Sequence, residues 1–448
     1  MPKALLIHAT DQNLCLAEQP PFPFPVLGIT TLAAYFPEDW DITLLDENFQ
    51  TVDPSIEVDL VGISSLTLDV VHAYELADAF RQRGIPVVMG GMHPSAMPKE
   101  ALEHADAVVV GEAESALPQL LEDFSRNRLS GIYQGTHTDL GHLPQPRLDL
   151  LPKACLDRLI PVQASRGCPH DCDFCSVTPF FGHRYRTRPV RDVVREVEHS
   201  LAAAGTNLFF FVDDNIAGRP GYAKELFKAL TPLNIRWGSF ASLAMTQDRE
   251  LMELARDSGC IELFMGFESI KQQNLDASNK SWVRIDRMRE AIGIFHDHGI
   301  IIEGSFIFGH DHDSRDIFAK TVEFIQTTGI QVPVFGILTP YPATRLRTRL
   351  EDEARLLPEA ADWRLYDGSH VLFEPANMTP EELEEGFLWT KKYCAAPRSI
   401  FARMFRAPRR NWLTALGLNF SMRAGRMRQI AARWPRRDKG PLTRPASW

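Results

Sequence analysis

The sequence predicts an α/β fold in which an N-terminal doubly wound parallel sheet precedes a partial (β/α)6 TIM barrel and a mostly helical C-terminal region. A chain of 448 residues is too long for one ordinary hydrophobic core, so two or three domains are expected. Short apolar runs alternate with helical patterns over residues 1–125, and the alternation resumes at residue 159 with a longer period. Beyond residue 340 the pattern is mainly helical.

The composition is that of a folded protein, with 44% hydrophobic and 24% charged residues. The sequence has no uninterrupted apolar run of about 18 residues, and its start, MPKALLIHATDQ, becomes polar too soon for a secretory signal. We therefore expect a cytoplasmic protein. Disulfides are not expected there, so clustered cysteines should be metal ligands or redox groups.

Five apolar runs in residues 1–125 are expected to form parallel strands: KALLIHA, DITLLDE, DLVGISSLT, PVVMGG and ADAVVVGEAE. Between them lie helical patterns such as LDVVHAYELADAFRQRG, which ends at Gly84. Ligands of such sheets bind beyond the carboxyl ends of the strands, where this chain has GISSLT, GGMHPS and GEAE. Proline, glycine and weak periodicity mark residues 126–158 as a linker.

Six further strands, each followed by a helical pattern, predict the partial barrel over residues 159–340, with its working face at the strand carboxyl ends. They are expected at residues 159–166, 207–213, 235–241, 260–266, 300–308 and 332–338.

Three cysteines crowd the segment SRGCPHDCDFCSV, directly after the first barrel strand: Cys168, Cys172 and Cys175. A structural zinc site usually takes four protein ligands, and Cys155, Cys260 or Cys394 could supply a fourth thiolate. Cys260 begins a predicted buried strand, which favours a core role instead. The CxxxCxxC spacing suits a cubane iron-sulfur cluster with one open iron, with a zinc knuckle as the alternative.

The octapeptide CPHDCDFC resembles the signature of the radical SAM superfamily. That resemblance implies a 4Fe-4S cluster whose open iron chelates S-adenosylmethionine (SAM) and whose electron cleaves it to a 5'-deoxyadenosyl radical. It also implies that Phe174 packs beside the adenine and that a flavodoxin- or ferredoxin-type protein supplies the electron.

Polar residues follow two of the barrel strands. FFFVDDNI contains Asp213, Asp214 and Asn215 directly after the strand. The resemblance implies that they support the methionine amino group, and the alternative is a helix cap. LFMGFES ends with Glu268 and Ser269, which correspond to ribose or methionine contacts. The alternative for Glu268 is solvated surface.

The segment IIIEGSFIFG resembles the glycine-containing strand whose backbone approaches the adenine in this family. The resemblance implies that Gly304 and Gly309 allow this close approach; the alternative is that each glycine only marks a bulge. GHDHD at 309–313 contains potential metal ligands. We expect a hydrogen-bonded turn there instead, because side chains of an extended segment point to alternate sides.

The N-terminal domain ahead of such a barrel resembles the Rossmann-like cobalamin-binding domain of a radical SAM branch that includes methylases of unactivated carbon and an anaerobic cyclase of chlorophyll synthesis. The resemblance spans residues 1–396. It implies that loops near Pro25 and Leu27 face the corrin. The other residues it assigns to cobalamin are Ser64, Ser65, Thr67, Gly90, Gly91, Gly111 and Glu112.

The DxHxxG motif, whose histidine ligates cobalt in many cobalamin proteins, is missing from this domain. His8, His72 and His104 stand in the wrong context, and His93 is the histidine expected to touch the cofactor. We therefore expect cobalt without a histidine below it. A domain that has lost cobalamin and serves as a lid or docking surface is the alternative.

The last hundred residues divide into a cap, residues 341–397, and a basic tail, residues 398–448. The tail has 13 Lys and Arg against one acid, a net charge of +12. Its expected apolar stripe is Trp412, Leu416, Phe420, Met427, Ile430 and Trp434. Such a helix suits peripheral contact with an anionic membrane, or docking on the acidic body of the protein. Nucleic acid is not expected, because no base-reading module accompanies the charge.

The sequence thus predicts an enzyme that cleaves SAM and, with cobalamin, methylates an unactivated carbon of a small or lipid-like molecule such as a terpenoid or tetrapyrrole. Radical cyclisation, ring contraction or oxidation, with or without cobalamin, is the alternative within enzymes. A cobalamin or iron-sulfur sensor is the alternative outside them.

Overall fold

A computed structural model describes residues 1–12, 25–203, 205–407 and 410–433 of the chain, without the side chains of residues 428, 429 and 431–433. The segment 13–24, which contains part of the proline-rich stretch before Pro25, lies outside this description. Within the described part, no helix has the length and apolar character needed to cross a membrane.

The N-terminal domain is a parallel six-stranded sheet in the order β2-β1-β3-β4-β5-β6, which confirms the doubly wound prediction. Its elements are β1 (Lys3–His8), α1 (Leu27–Ala33), β2 (Asp41–Asp46), β3 (Leu60–Ser64), α2 (Val70–Gln82), β4 (Val87–Gly90), α3 (Met92–Ala96), α4 (Pro98–His104), β5 (Ala107–Val110), α5 (Leu117–Ser125) and β6 (Gly131–Gln134). The sixth strand comes from the segment expected to be a linker. Its side chains are less buried than those of β3 and β5, so it lacks a strong hydrophobic pattern.

A second parallel six-stranded sheet, in the order β14-β13-β12-β11-β10-β7, forms the partial barrel. Its elements, with their flanking pieces, are β7 (Ile160–Val162), β8 (Ser165–Arg166), α6 (Val177–Phe181), β9 (Arg186–Thr187), α7 (Val190–Ala203), β10 (Leu208–Phe211), α8 (Pro220–Leu230), β11 (Arg236–Ala241), α9 (Arg249–Asp257), β12 (Cys260–Glu268), α10 (Gln272–Ala277), α11 (Ile285–Asp297), β13 (Ile301–Phe308), α12 (Ile317–Thr328) and β14 (Val332–Ile337).

The predicted first barrel strand, residues 159–166, is divided in the structure. Only β7 joins the barrel, whereas β8 turns away and pairs with β9 in a separate antiparallel ribbon. Along the barrel strands, burial alternates residue by residue, so one set of side chains faces the packed helices and the other faces the barrel interior. The interior set includes Glu262, Phe264, Ser305 and Ile307.

Four helices complete the described chain: α13 (Arg345–Asp352), α14 (Pro380–Ala395), α15 (Pro397–Met404) and α16 (Trp412–Arg433). The helix α14 begins with a capping box, in which Thr379 and Glu382 satisfy each other's backbone N–H groups. It packs against α12, α15 and α16, so the cap region is built onto the barrel.

The basic tail docks on the protein itself over the described residues. Asn419 donates to the Gln331 carbonyl at 3.0 Å, and buried Arg426 donates to the Pro333 carbonyl at 2.7 Å, so α16 covers the outer edge of β14. The expected apolar stripe is divided between two sides of the helix, because Trp412, Leu416 and Ile430 pack against the protein whereas Phe420 and Met427 are exposed. Trp434 lies outside the described residues.

Candidate functional site

The three clustered cysteines lie on the loop between β8 and α6, beyond the carboxyl end of β7. Asp214 holds the start of this loop, since its Oδ2 accepts the Gly167 N–H at 2.9 Å. Gly167 has φ 83°, and a Cβ there would lie 2.6 Å from the Arg184 carbonyl oxygen. Glycine is therefore required immediately before Cys168.

Asp213 is fully buried and serves the neighbouring strand. Its Oδ2 accepts the Ala164 N–H at 3.0 Å, and its Oδ1 accepts a hydrogen bond from the Ser165 hydroxyl. Burial raises the pKa of this carboxyl to about 7. Asp213 thus holds β8 in place, and Asp214 holds the cysteine loop in place.

Asn215, the third polar residue after β10, faces the cluster loop directly. Its side chain lies near the Cys168 thiol, and its buried Oδ1 finds no hydrogen-bond partner among the described residues. An acceptor left in this position suits the ammonium group of a bound amino acid, because buried polar atoms are normally satisfied.

Glu268 ends β12 in the left-handed region, with φ 58°, at a register shift between β12 and β13. Its side chain folds back over Gly266, where a Cβ would lie 2.1 Å from Oε1. Buried Lys280 donates to this Oε1 at 2.6 Å and to the Gly266 carbonyl at 2.8 Å. Glu268 is therefore a buried, paired carboxylate beside the cysteines, and the surface alternative does not describe it.

Ser269 belongs to a polar network beneath the next loop. Its hydroxyl accepts from Asn274 Nδ2 at 2.8 Å, and Asn274 also donates to Asp313 Oδ1 at 2.7 Å. Asp313 Oδ2 in turn accepts the N–H groups of Gly309 and His310. The GHDHD segment is thus a hydrogen-bonded turn held by its own aspartate.

Phe174 lines a cavity of about 300 Å³ at the carboxyl ends of β13 and β14, which we call the barrel cavity. Strand residues Ser305 and Ile307 form one wall. Asp367 and fully buried Lys391 reach it from the cap. The Nζ of Lys391 lies 4.9 Å from the centre of the Phe387 ring, so the end of this side chain packs against an aromatic ring at the cavity wall.

Gly304 has a packing role on the opposite face of β13. A Cβ there would lie 3.0 Å from Ile330 Cγ2 and 3.2 Å from the Phe267 ring, so glycine leaves room for the side chains packed beside β13. The neighbouring residues Ser305 and Ile307, rather than Gly304, carry side chains into the barrel cavity.

The cysteine loop fits an iron-sulfur cluster. Burial raises the pKa of the Cys172 thiol, and the charge of buried Lys280 acts in the opposite direction. Within the described ranges, no three His, Cys, Asp or Glu side chains converge on one metal-ion position. A cluster in which each thiolate binds a different iron suits this arrangement.

A second cavity, of about 440 Å³, lies between the two domains and is called the interdomain cavity. Leu66, Thr67 and Gly111 line it from the N-terminal sheet. Ser176, which follows Cys175 directly, lines it from the barrel side. Mixed apolar and hydroxyl walls suit a large cofactor that carries amide groups.

Two buried hydroxyls stand at the switch point of the N-terminal sheet, where the strand order reverses between β1 and β3. The Oγ1 of Thr10 follows β1 and the Oγ of Ser65 follows β3, and neither has a hydrogen-bond partner in the described part of the chain. Cofactors of doubly wound sheets bind at this point. The pair thus suits the polar groups of cobalamin.

The two glycines at the end of β4, Gly90 and Gly91, differ in how much space surrounds them. Gly91 has φ 98°, and a Cβ there would lie 2.8 Å from the Ser65 carbonyl oxygen and 2.9 Å from Ser64 Oγ. Gly90 has ordinary space around it. Gly91 therefore lets the loops after β3 and β4 approach each other, which positions Ser64 and Ser65 for any ligand.

His93 is not among the residues that line the interdomain cavity, although its neighbour Met92 is. It is fully buried, with its ring 4.8 Å from the Trp363 ring and its Nε2 3.4 Å from Glu100 Oε1. Trp363 also donates to Glu100 at 2.9 Å. His93 therefore joins the N-terminal domain to the cap. Its Nδ1 has no hydrogen-bond partner among the described residues, and its expected contact with the cofactor stays a prediction.

Glu112 is buried in an ion-pair cluster instead of facing a cavity. Its Oε2 lies 2.7 Å from Arg166 Nη1, and its Oε1 pairs with Arg186. Arg166 also pairs with Glu114 at 2.6 Å. Because Arg166 and Arg186 belong to β8 and β9, these acids anchor the cysteine-bearing ribbon to the N-terminal domain.

Several residues of the site were not expected from the sequence, namely Thr10, Arg166, Arg186, Gly266, Lys280 and Lys391. Arg166 lies two residues before Cys168, and Gly266 lies two before Glu268, so proximity to a motif was an available signal for both. Lys280 lies 12 residues from Glu268, and Lys391 reaches the barrel cavity from the cap, so the burial of both is a property of the fold alone.

Comparison with known proteins agrees with this division of the chain. Residues 14–121 match the family described as B12 binding domain, and residues 162–325 match the Radical SAM superfamily. Bacteriochlorophyllide d C-12(1)-methyltransferase of Chlorobaculum tepidum is 32% identical over 422 residues, covering 92% of this chain and 91% of the relative. Bacteriochlorophyllide d C-8(2)-methyltransferase of the same organism is 31% identical, covering 81% and 83%.

The fold is similar to that of the radical S-adenosylmethionine methyltransferase TsrM from Kitasatospora setae, solved with cobalamin and a 4Fe-4S cluster bound. The two structures superpose with a TM-score of 0.71 at 16% identity, over 97% of this chain and 100% of the other.

Proposed function

The chain belongs to the radical SAM superfamily, in the branch that carries a B12-binding domain, and we propose that it methylates an unactivated carbon of a small-molecule substrate. Its cofactors are a 4Fe-4S cluster, SAM and cobalamin. When bound, these groups supply the reductive cleavage of SAM and a transferable methyl group.

One observation carries the proposal. Ser176, next to Cys175, forms part of the wall of the interdomain cavity, opposite Thr67 and Gly111 from the N-terminal sheet. The loop that would hold the cluster and the domain that would hold cobalamin thus share one cavity. Chemistry that uses both cofactors on one substrate requires such proximity.

The chain's own residues would hold the cofactors in the following way. Cys168, Cys172 and Cys175 are the cluster ligands, and Asn215 Oδ1 is placed to accept from the amino group of SAM. Phe174 would offer its ring to the adenine at the wall of the barrel cavity. Glu268, fixed by Lys280, would contact the ribose or methionine portion.

We propose a tetrapyrrole or a similarly hydrophobic molecule as substrate. The two relatives described above are named for bacteriochlorophyllide, which supports this substrate class. We further propose that the enzyme is cytoplasmic and that a flavodoxin- or ferredoxin-type donor reduces the cluster.

The test is anaerobic reconstitution with iron, sulfide and hydroxocobalamin, followed by desalting and metal analysis. We expect about four irons and one cobalt per chain. Addition of reductant, a tetrapyrrole substrate and SAM with a deuterated methyl group should then yield 5'-deoxyadenosine and a tetrapyrrole that has gained the label.

Cys172→Ala is the matched control, because it should lose the iron and the 5'-deoxyadenosine while keeping the cobalt. Full activity of this variant would overturn the proposal. Adenosyl cleavage with no labelled product would favour cyclisation or oxidation, and cofactor binding without any cleavage would favour a sensor.

A further inference from the structure

The outward face of α16 carries an apolar stripe made of Leu413, Gly417, Phe420, Ala424 and Met427. These positions recur every three or four residues, so they lie along one side of the helix. All five are exposed, and 81% of Leu413 and 43% of Phe420 are accessible. This face is separate from the buried one, where Asn419 and Arg426 hold the helix on β14.

The neighbouring helix α15 extends the stripe. Phe401 lies with its ring centre 6.4 Å from that of Phe420, and Phe405, at the end of α15, is 81% exposed. Of the eight large hydrophobic side chains exposed in the described residues, five lie between Phe401 and Met427. Exposed large hydrophobic residues concentrated in this way mark an interaction surface, which we call the α15–α16 face.

The segment that forms this face carries charge of one sign. No Asp or Glu occurs from residue 398 to residue 433, and the exposed cations of this stretch include Arg398, Arg406 and Arg410. A second copy of the chain would bring two such cationic surfaces together, which opposes self-association. A nucleic acid would pair with the arginines but would leave the leucine and phenylalanine side chains in water.

We propose that the α15–α16 face docks on an anionic lipid bilayer, with the apolar stripe among the acyl chains and the arginines at the headgroups. This inference does not rest on the proposed reaction. Vesicle binding needs neither SAM nor turnover, so the failure of methyl transfer would leave it intact.

The test is flotation of the full-length, cofactor-loaded protein with vesicles of equal parts phosphatidylglycerol and phosphatidylcholine. The wild type should float with these vesicles and stay behind with pure phosphatidylcholine. A triple variant, Leu413→Ser with Phe420→Ser and Met427→Ser, should bind about tenfold more weakly or worse. Because these side chains point outward, its melting temperature should equal that of the wild type.

Ile132→Ser is the matched control, since Ile132 is 41% exposed on β6 and should not affect flotation. Arg398→Gln combined with Arg410→Gln should weaken binding without removing it. Equal flotation of the triple variant and the wild type, or equal binding to both vesicle types, would overturn the proposal. So would a wild-type dimer in light scattering that the triple variant dissociates, because a second copy would then cover the face.

Discussion

Arg166 and Glu112 form a buried ion pair, with 2.7 Å between Nη1 and Oε2, that connects the cysteine-bearing ribbon to the N-terminal sheet. Arg186 binds the same carboxylate, and together the two guanidinium groups hold the Glu112 pKa below its usual range against the opposing effect of burial. The contact spans two domains, so the placement of the cysteine loop depends on the docking of the domain expected to bind cobalamin.

Glu112→Ala should destabilise the protein by roughly 3–5 kcal/mol, because it leaves buried cations without their partner. Urea unfolding monitored by tryptophan fluorescence measures the change. Glu122→Ala is the control, since Glu122 makes a solvent-exposed pair with Arg126 and should cost less than about 1 kcal/mol. Equal effects of the two variants would contradict the structural role of Glu112.

Asp214→Ala should reduce the iron retained after anaerobic desalting, because the Gly167 N–H beside Cys168 loses its acceptor. Asp214→Asn keeps a side-chain oxygen and should retain more iron than the alanine variant. Iron and sulfide assays on both proteins provide the measurement. If both variants retained iron as the wild type does, the cysteine loop would not need this anchor.

The carboxyl group of Asp213 should give the folded protein a distinct pH dependence. Its folded-state pKa of about 7 lies above the ordinary value of 3.8, so the folded protein binds this proton more tightly than the unfolded chain does. Its contribution to the free energy of unfolding is therefore complete below about pH 4 and is lost as the pH rises through about 7, at about 1.4 kcal/mol per pKa unit.

Asp213→Asn removes this titration, and urea midpoints of both proteins across that pH range test it. The wild type should lose stability relative to the variant as the pH rises. A constant difference between the two would show that Asp213 does not titrate in this window.

Gly91→Ala should destabilise the protein by about 1–3 kcal/mol and weaken cobalamin retention, because its Cβ would meet the Ser65 carbonyl at 2.8 Å. Gly84→Ala is a close control. Gly84 also has a positive φ, 77°, but nothing lies within 4 Å of the added Cβ. Gly91→Ala should lower the free energy of unfolding and the cobalt content more than Gly84→Ala does. This difference measures the close approach of the two loops.

The architecture was predictable wherever hydrophobic periodicity was strong. The barrel strands β10 to β14 lie within the predicted segments or within two residues of them, because each is an apolar run bounded by polar or glycine-rich turns. β6 was missed because its sequence, GIYQ, is short and half exposed. The division of β7 from β8 was missed because pairing of β8 with β9 depends on tertiary contacts.

The candidate site was predictable in its motifs but not in its pairings. The sequence placed Asp213, Asp214 and Glu268 at strand ends, and the structure does so too. The sequence could not show that Asp213 would accept a hydrogen bond from Ser165 or that Glu268 would pair with Lys280. These partners lie 48 and 12 residues away. Long-range partners of this kind leave no local pattern in one sequence.

The docking of α16 along β14 also protects the chain against aggregation. β14 is the last strand of an open barrel, and an uncovered strand edge would present unpaired carbonyl groups to other molecules. Asn419 and Arg426 bind two of the carbonyls beside this edge, and the Gly368 carbonyl accepts the Ile337 N–H at 2.7 Å. A chain shortened before Trp412 should therefore expose this strand and precipitate through strand-to-strand pairing, so expression of the barrel requires its last helix.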